Sequence, residues 1–427
     1  KRLRDKRLRD KRLRKGKVFF VMRKFIVSVV VALVVLCGAS FYVYKTGNIS
    51  ETYENKESKK VNNNMLSMML ETSAGSGEYQ KTSASAWPTE GYVFNETLSK
   101  CEKGSSLSWD STKNTVVMMG NNADRCYVYF DIKPLEYLVD HIKSLYTTQG
   151  SNNLYLHDNS LTNGAEDNSY RYAGSSDTTN NFICFGYDST DGSCPTDNLY
   201  RIIGVFDNQI KLIKYDYANS NLLGTDGDYE GSSTPNTSYY KGSLTSINTY
   251  YWSSNGINMW SISLLNKTNL NTNYLNNIGT IWSNKIAMHT WKIGGNTETN
   301  IKNSIPATAY QNEIINPAES TTYDAKIGLM YVSDYGYTAT KSVWNITLNS
   351  YNNISVISEN WMYMGLYEST ISHKTGDAYN AFNVYYDGSV SSDNIGRAYA
   401  IRPCFYLNQD VTYVSGNGTK TEPFLIK

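Results

Sequence analysis

Residues 199–215 read LYRIIGVFDNQIKLIKY. Two runs rich in β-branched and aromatic residues flank Asp207-Asn208, and that dipeptide is a turn former. The pattern predicts a hairpin, Leu199 to Phe206 and Gln209 to Tyr215, at the heart of a large domain spanning 151–427. Downstream, Trp260, Leu264, Leu265, Leu270, Tyr274 and Leu275 are spaced as two short helical turns. The run KIGLMYVSDYGY (326–337) reads as a strand entering a loop. NWMYMGL (360–366), AFNVYYDGSV (381–390) and AYAIRPCFYL (398–407) read as three further strands. Strands mixed with short helices and long polar insertions predict an α+β fold, not a doubly wound sheet.

Upstream of this domain the text changes character. Short apolar runs at Leu107 to Trp109, Thr115 to Met119 and Cys126 to Phe130 alternate with turn residues. They predict a small β unit over 91–131, stapled by a disulfide between Cys101 and Cys126, since so small a core is marginal by itself. Pro134 suits the first turn of a helix. With Leu135, Leu138, Ile142 and Leu145 on one face, it predicts a connector helix over 132–150. Residues 45–90 are polar and poor in large hydrophobics except Met65 to Leu70, which reads as a stalk.

Phe25 to Tyr44, FIVSVVVALVVLCGASFYVY, carries no charge over a length that crosses a bilayer as a helix. Residues 1–24 hold 13 Lys/Arg against 2 Asp, a balance of +11, so a chain of net charge +1 leaves −10 for the rest. The positive-inside rule then places 1–24 in the cytoplasm as a basic segment and the body outside, with 25–44 as a single-pass anchor of the cell membrane. Cleavage after the small residues at 37–39 is the alternative, and it gives a secreted body. The pentads of KRLRDKRLRDKRLRK precede Met22-Arg23-Lys24-Phe25, an ordinary signal start, so the natural chain is read as beginning at Met22. A negative body argues against nucleic-acid binding.

Of six cysteines, Cys37 lies in the apolar run, while Cys184 and Cys194 close a short loop and form a second expected disulfide. Two local pairs suit an oxidising compartment. Cys404, in an apolar run, reads as a buried thiol. No C-x-x-C occurs.

The run NSYRYAGSS, then NFICFGYD, CPTDNLYRIIGVF and QIKLIK resembles the opening of a large domain in uncharacterised surface proteins of gut Firmicutes and Tenericutes. The resemblance continues through Trp260, Ser263, Leu265, Leu270, Asn271, Tyr274 and Leu275, and through Gly328 to Tyr335. It ends with Trp361, the Asp387-Gly388 turn, Arg402-Pro403 with Leu407, and Gly416 to Thr419. It covers roughly residues 92–427. That domain has no assigned function, and its Trp…Asp-Gly…Arg-Pro close is similar in pattern to C-type-lectin-like domains. The resemblance implies a cell-surface location and ligand binding, and brings no catalytic residues.

The four histidines, His141, His157, His289 and His373, stand far apart, and no metalloprotease, nucleophile-elbow or phosphate-loop motif occurs. No catalytic residue is expected. Acidic loops are candidate Ca²⁺ ligands: Asp226, Asp228 and Glu230, and the group Asp188, Asp191 and Asp197. Recognition residues are expected in a loop over 366–380 and just after it: Tyr367, His373, Lys374, Asp377, Tyr379, Tyr385 and Tyr386. Trp260, Trp361, Arg402 and Pro403 are expected to be structural. The chain carries 36 tyrosines, side chains that give contact area at low entropic cost. The leading expectation is an anchored adhesin that binds glycan or protein. The alternatives are a structural envelope protein without a ligand, and an extracellular hydrolase.

Overall fold

A computed structural model describes residues 66–83, 86–88, 91–120, 124–189 and 193–427. The basic segment, the apolar run and the first part of the expected stalk lie outside these residues. Among the described residues no helix is long and apolar enough to cross a membrane. The chain divides into two compact units, the first ending at Pro134 and the second starting at Leu135. The fold is mixed α+β, mostly sheet, with two disulfides.

The first unit is built on strands β1 (Leu66–Glu71), β2 (Tyr79–Lys81), β3 (Tyr92–Cys101) and β6 (Cys126–Ile132), in the order β2-β1-β6-β3. β4 (Ser106–Asp110) and β5 (Thr115–Met119) form a hairpin beside it. The segment read as stalk therefore supplies two strands. β1 lies in the middle and pairs parallel with β6 from Leu66↔Cys126 to Leu70↔Phe130. Its partner is some sixty residues away, so a local reading could not find it. Met68, Leu107, Val116, Cys126, Val128 and Phe130 make a small buried core. The Cys101–Cys126 disulfide closes a separation of 25 residues, which in the chain-entropy account stabilises by about 3.5 kcal/mol.

The second unit begins earlier than the sequence suggested. Pro134 does not start a helix. Residues Glu136–Tyr137 form strand β7, and the helix runs Leu138–Ser144, with Leu138, Val139 and Ile142 in the core of this unit and Leu135 left exposed. β7 pairs β23 (Thr412–Ser415), which also pairs β24 (Leu425–Ile426). Pairing with the chain's far end captures the residues that local propensity assigns to a helix.

The predicted hairpin is central. β11 (Leu199–Phe206) and β12 (Gln209–Lys214) pair through a turn in which Asp207 (φ 47°) and Asn208 (φ 61°) are both left-handed, the tight two-residue geometry that matches strand twist. Around it lie β8 (Leu154–Leu156), β9 (Tyr170–Tyr172), β10 (Phe182–Cys184), β17 (Ile327–Gly328) and β22 (Cys404–Tyr406). The order is β17-β22-β12-β11-β9-β8, with β10 also on β11. A bulge falls between Ile202 and Gly204. A Cβ at Gly204 would lie 2.1 Å from the Tyr170 carbonyl, so only glycine lets β9 approach.

Smaller sheets complete the unit: β13 (Tyr229–Ser233), β14 (Ile247–Tyr251) and β21 (Ala398–Tyr399); β15 (His289–Lys292) with β16 (Thr322–Ala325); and β18 (Glu368–His373), β19 (Asn380–Val384) and β20 (Val390–Asn394). Leu265–Tyr274 is a π-helix, and Leu265, Leu270 and Tyr274 are buried on it. Of the expected strands, that in 326–337 is cut short to β17, and that in 360–366 is absent among the described residues. After β17 the chain turns into the helix Val332–Tyr337, whose Asp334 carboxylate accepts the Tyr331 N–H and also binds Lys211 Nζ at 2.6 Å. The run 361–366 is buried but irregular. Trp361 Nε1 donates to the Tyr172 carbonyl and Arg402 Nη2 to the Met362 carbonyl, which replaces a strand ladder with side-chain bonds.

Candidate functional site

Trp260 and Trp361 are buried in the core, as expected. Arg402 is buried too, and its Nε and Nη2 donate to the Glu368 carboxylate at 2.7 and 2.8 Å. The Pro403 carbonyl accepts the Lys214 N–H. Both expected disulfides, Cys101–Cys126 and Cys184–Cys194, are formed. Cys404 is a buried free thiol, and burial pushes it up to about 12, so it stays protonated.

The expected Ca²⁺ loop is knit to the protein instead. The Asp228 carboxylate accepts the N–H groups of Ser254 and Leu265. The Asp226 carboxylate takes Asn273 Nδ2, and that of Glu230 takes the Tyr251 hydroxyl. Among the described residues no three His, Cys, Asp or Glu side chains converge as metal ligands. Alternating carboxylates in a glycine loop look alike in sequence whether they hold a cation or the backbone. Of the second acidic group, Asp191 lies outside the described residues.

The recognition residues do not share one loop. Glu368–His373 is strand β18, buried along nearly its whole length. The residues separate to the two ends of the β18-β19-β20 sheet. At the β18–β19 turn, Lys374 Nζ lies 3.2 Å from Glu298 and 3.4 Å from Asp377. Asn258 Nδ2 reaches the carbonyls of Lys374, Asp377 and Asn380. Lys374 and Asp377 are thus engaged with the protein itself. His373 is mostly buried, which lowers its pKa, and only Tyr379 is well exposed there.

The opposite end gathers the remaining tyrosines. The Tyr367 ring stacks on Tyr399 at 5.2 Å and 14°, and meets Tyr385 at 4.9 Å and Tyr386 at 5.4 Å, both edge-on. Tyr386 meets Tyr239 at 4.8 Å. Gly365 is held at φ 87° against the Tyr239 carbonyl, which would lie 1.9 Å from a Cβ there. That close approach seats Tyr239 beside the others. Tyr367 and Tyr239 are both more than a third exposed. The rings form a partly open shelf.

The shelf continues onto the sheet. Register places Ser369, Asn383 and Ser391 opposite one another on one face, with Asp393 opposite Ala381 and Tyr385 two residues beyond Asn383. Asp393 Oδ2 accepts the Tyr399 hydroxyl at 2.6 Å, the Tyr385 hydroxyl at 3.2 Å and Arg397 Nη1 at 2.9 Å. Partial burial pushes its carboxyl up, but the Tyr399 hydroxyl, the Asn394 N–H and the Arg397 charge together hold it below the ordinary aspartate value. Beside it is a shallow depression of about 10 Å³, room for one water molecule, partly open to solvent and lined by Trp252, Ser369, Asn383, Asp393, Arg397 and Tyr399. Asn383 is 2% exposed, and neither Nδ2 nor Oδ1 of its carboxamide has a partner among the described residues.

Of the side chains gathered here, the sequence had singled out Tyr367, Tyr385 and Tyr386, and not Asn383, Asp393, Arg397, Tyr399 or Tyr239. The signal was the period-two alternation of 382–385 and 390–393, which puts Asn383 and Tyr385 on one face, and Phe382 and Val384 on the other.

Set against known proteins, the chain matches no family model, no curated protein and no solved structure.

Proposed function

We propose that this is a cell-surface protein, anchored or released through its N-terminal apolar segment, whose second unit binds carbohydrate across the tyrosine shelf. The observation that carries the reading is the Tyr239–Tyr386–Tyr367–Tyr399 series, half-open to solvent and continuous with the Asp393–Arg397 pair. Flat rings receive the apolar faces of pyranoses, and a neighbouring carboxylate accepts hydroxyls. The paired charges of Asp393 and Arg397 nearly cancel, which favours an uncharged ligand. Two disulfides suit an exterior location. A C-type-lectin-like architecture, as in the surface proteins the sequence resembles, is part of this proposal. It is supported by the way Arg402 ties the segment after Trp361 to β18, while Gly388 turns β19 into β20.

The test is a glycan array probed with the full chain and with the Tyr367→Ala/Tyr386→Ala double variant. Wild type should bind a set of neutral glycans, and the variant should lose at least tenfold in affinity while its melting temperature stays within a few degrees. A blank array for folded wild type sinks the reading and leaves the structural envelope role in its place.

A further inference from the structure

We infer that Asp216 is a positioning residue of the carbohydrate site: it never touches the sugar, but it fixes the loop that sets Tyr239 at the end of the shelf. This rests on the carbohydrate reading and adds the part of the fold that completes the site. Three observations carry it.

The first is that Tyr239 is held differently from the other rings. Tyr399 lies on β21, the Tyr367 carbonyl accepts the Ala400 N–H at 3.0 Å, and the Tyr385 N–H donates to the Ser389 carbonyl at 2.8 Å. Those rings are placed by the sheets themselves. Tyr239 sits in the irregular connection 234–246 between β13 and β14, where no ladder fixes it. A ring on such a segment presents a constant surface only if something else pins the segment.

The second is the pin. Asp216 follows β12 of the main sheet and is buried. Its Oδ1 accepts the Tyr240 hydroxyl at 2.6 Å and the Tyr217 N–H at 2.7 Å, and its Oδ2 accepts the Ser243 N–H at 2.9 Å. The Tyr240 hydroxyl oxygen in turn accepts the Leu244 N–H at 3.0 Å. One carboxylate on the rigid hairpin strand thus holds three points of the loop, two directly and one through Tyr240.

The third is where this leaves the neighbouring side chain. Tyr240 packs inward, its ring stacked on Tyr217 at 6.0 Å and 21°. Tyr239, the residue before it, goes the other way, with its ring on Tyr386 and more than a third of its surface open. The Lys241 N–H, on the Met364 carbonyl at 3.0 Å, ties the same turn to the segment that leads into Tyr367. The inward ring and its carboxylate fix the outward ring.

The measurement is a double-mutant cycle on the full chain, titrated with the neutral glycan that wild type holds most tightly on the array. Asp216→Asn keeps the size of the side chain but cannot accept all three donors. It should weaken binding about fivefold or more, close to the loss in Tyr239→Ala. Added to Tyr239→Ala it should change affinity by less than about twofold, whereas added to Tyr367→Ala it should cost nearly its full factor. Hydrogen exchange supplies a readout that needs no sugar: Asp216→Asn should speed exchange about tenfold in 239–244 and leave β18, β19 and β20 as they were. Tyr240→Phe, which removes only the hydroxyl, should move both readouts the same way, and it carries the test if Asp216→Asn does not fold. Unchanged affinity, or a loss that is the same with and without Tyr239, overturns the positioning role and leaves the carbohydrate reading standing. So does exchange that rises across the whole second unit, which makes Asp216 a general support of the fold. A blank array removes the carbohydrate reading, and the positioning role with it, whatever the exchange shows.

Discussion

The two faces of the β18-β19-β20 sheet come from the same three strands and do opposite things. The inner face puts Phe382, Val384 and Val390 into the main core, and its one charged side chain, Glu368, is bonded at both oxygens by Arg402. The outer face carries Ser369, Asn383, Tyr385, Ser391 and Asp393, and at its centre the Asn383 carboxamide has no partner among the described residues. A polar group whose bonds are all met within the fold is structural. One that is buried without a protein partner has its bonds met by water or by a ligand. The same contrast separates Lys374, paired with both Asp377 and Glu298, from the half-open tyrosines at the other end of the sheet.

The inner face breaks first. Arg402→Ala leaves Glu368 buried and unpaired, and removing one partner of such a pair costs about 3–5 kcal/mol. The urea midpoint should fall accordingly. Replacing the pair together, Arg402→Met with Glu368→Leu, should recover most of that loss, because the penalty lies in the stranded charge. If Arg402→Ala costs less than about 1 kcal/mol, the inner face is not the structural one.

Acid should divide the faces next. His289 is held down to about 4, chiefly by burial and then by Lys211 and Lys292, and burial holds His157 well below its ordinary value. The unfolded chain takes up protons on these groups below about pH 6.5, while the folded chain does not until it approaches its lowered values. Stability is therefore full above pH 6.5 and falls as pH drops toward 4, by up to about 1.4 kcal/mol per pH unit for each such histidine. Equilibrium unfolding at several pH values should show that slope, and His289→Phe should make it shallower. Asp393 is held below its ordinary value, so sugar affinity per folded molecule should stay flat over the same range.

How much of this could be read from the sequence follows the distance between partners. The β11–β12 hairpin was legible because its turn and both strands are contiguous, and both disulfides because each closes a short loop. Strand β1 was hidden, since its hydrophobics sit in a polar stretch and its partner β6 lies far along the chain. β7 was hidden for the same reason, its partner being close to the C-terminus. The Val332–Tyr337 helix was lost because β-branched and aromatic residues suggest a strand, whereas Lys211, from a distant strand, anchors the capping Asp334. At the site, Tyr385 and Tyr386 were noticed as aromatics. Asn383 between them and β18 looked like any asparagine, because being unpartnered is a property of the folded environment.

The finest test lies within the outer face. Tyr399→Phe removes the hydroxyl that donates to Asp393 at 2.6 Å but keeps the ring stacked on Tyr367. A partly exposed hydrogen bond to a carboxylate that retains Arg397 and the Tyr385 hydroxyl should cost about 1 kcal/mol or less in stability. Freed from one donor, Asp393 has a lone pair available for a sugar hydroxyl, so affinity for the neutral glycans of the array should hold or rise by up to a few-fold. A tenfold loss would mean that the Asp393 carboxylate must be fixed by both tyrosines to act. The shelf would then be a polar clamp that happens to be aromatic, and the division between a bonded inner face and a polar outer face, open to solvent only at its tyrosine edge, would have to be redrawn through Asp393 itself.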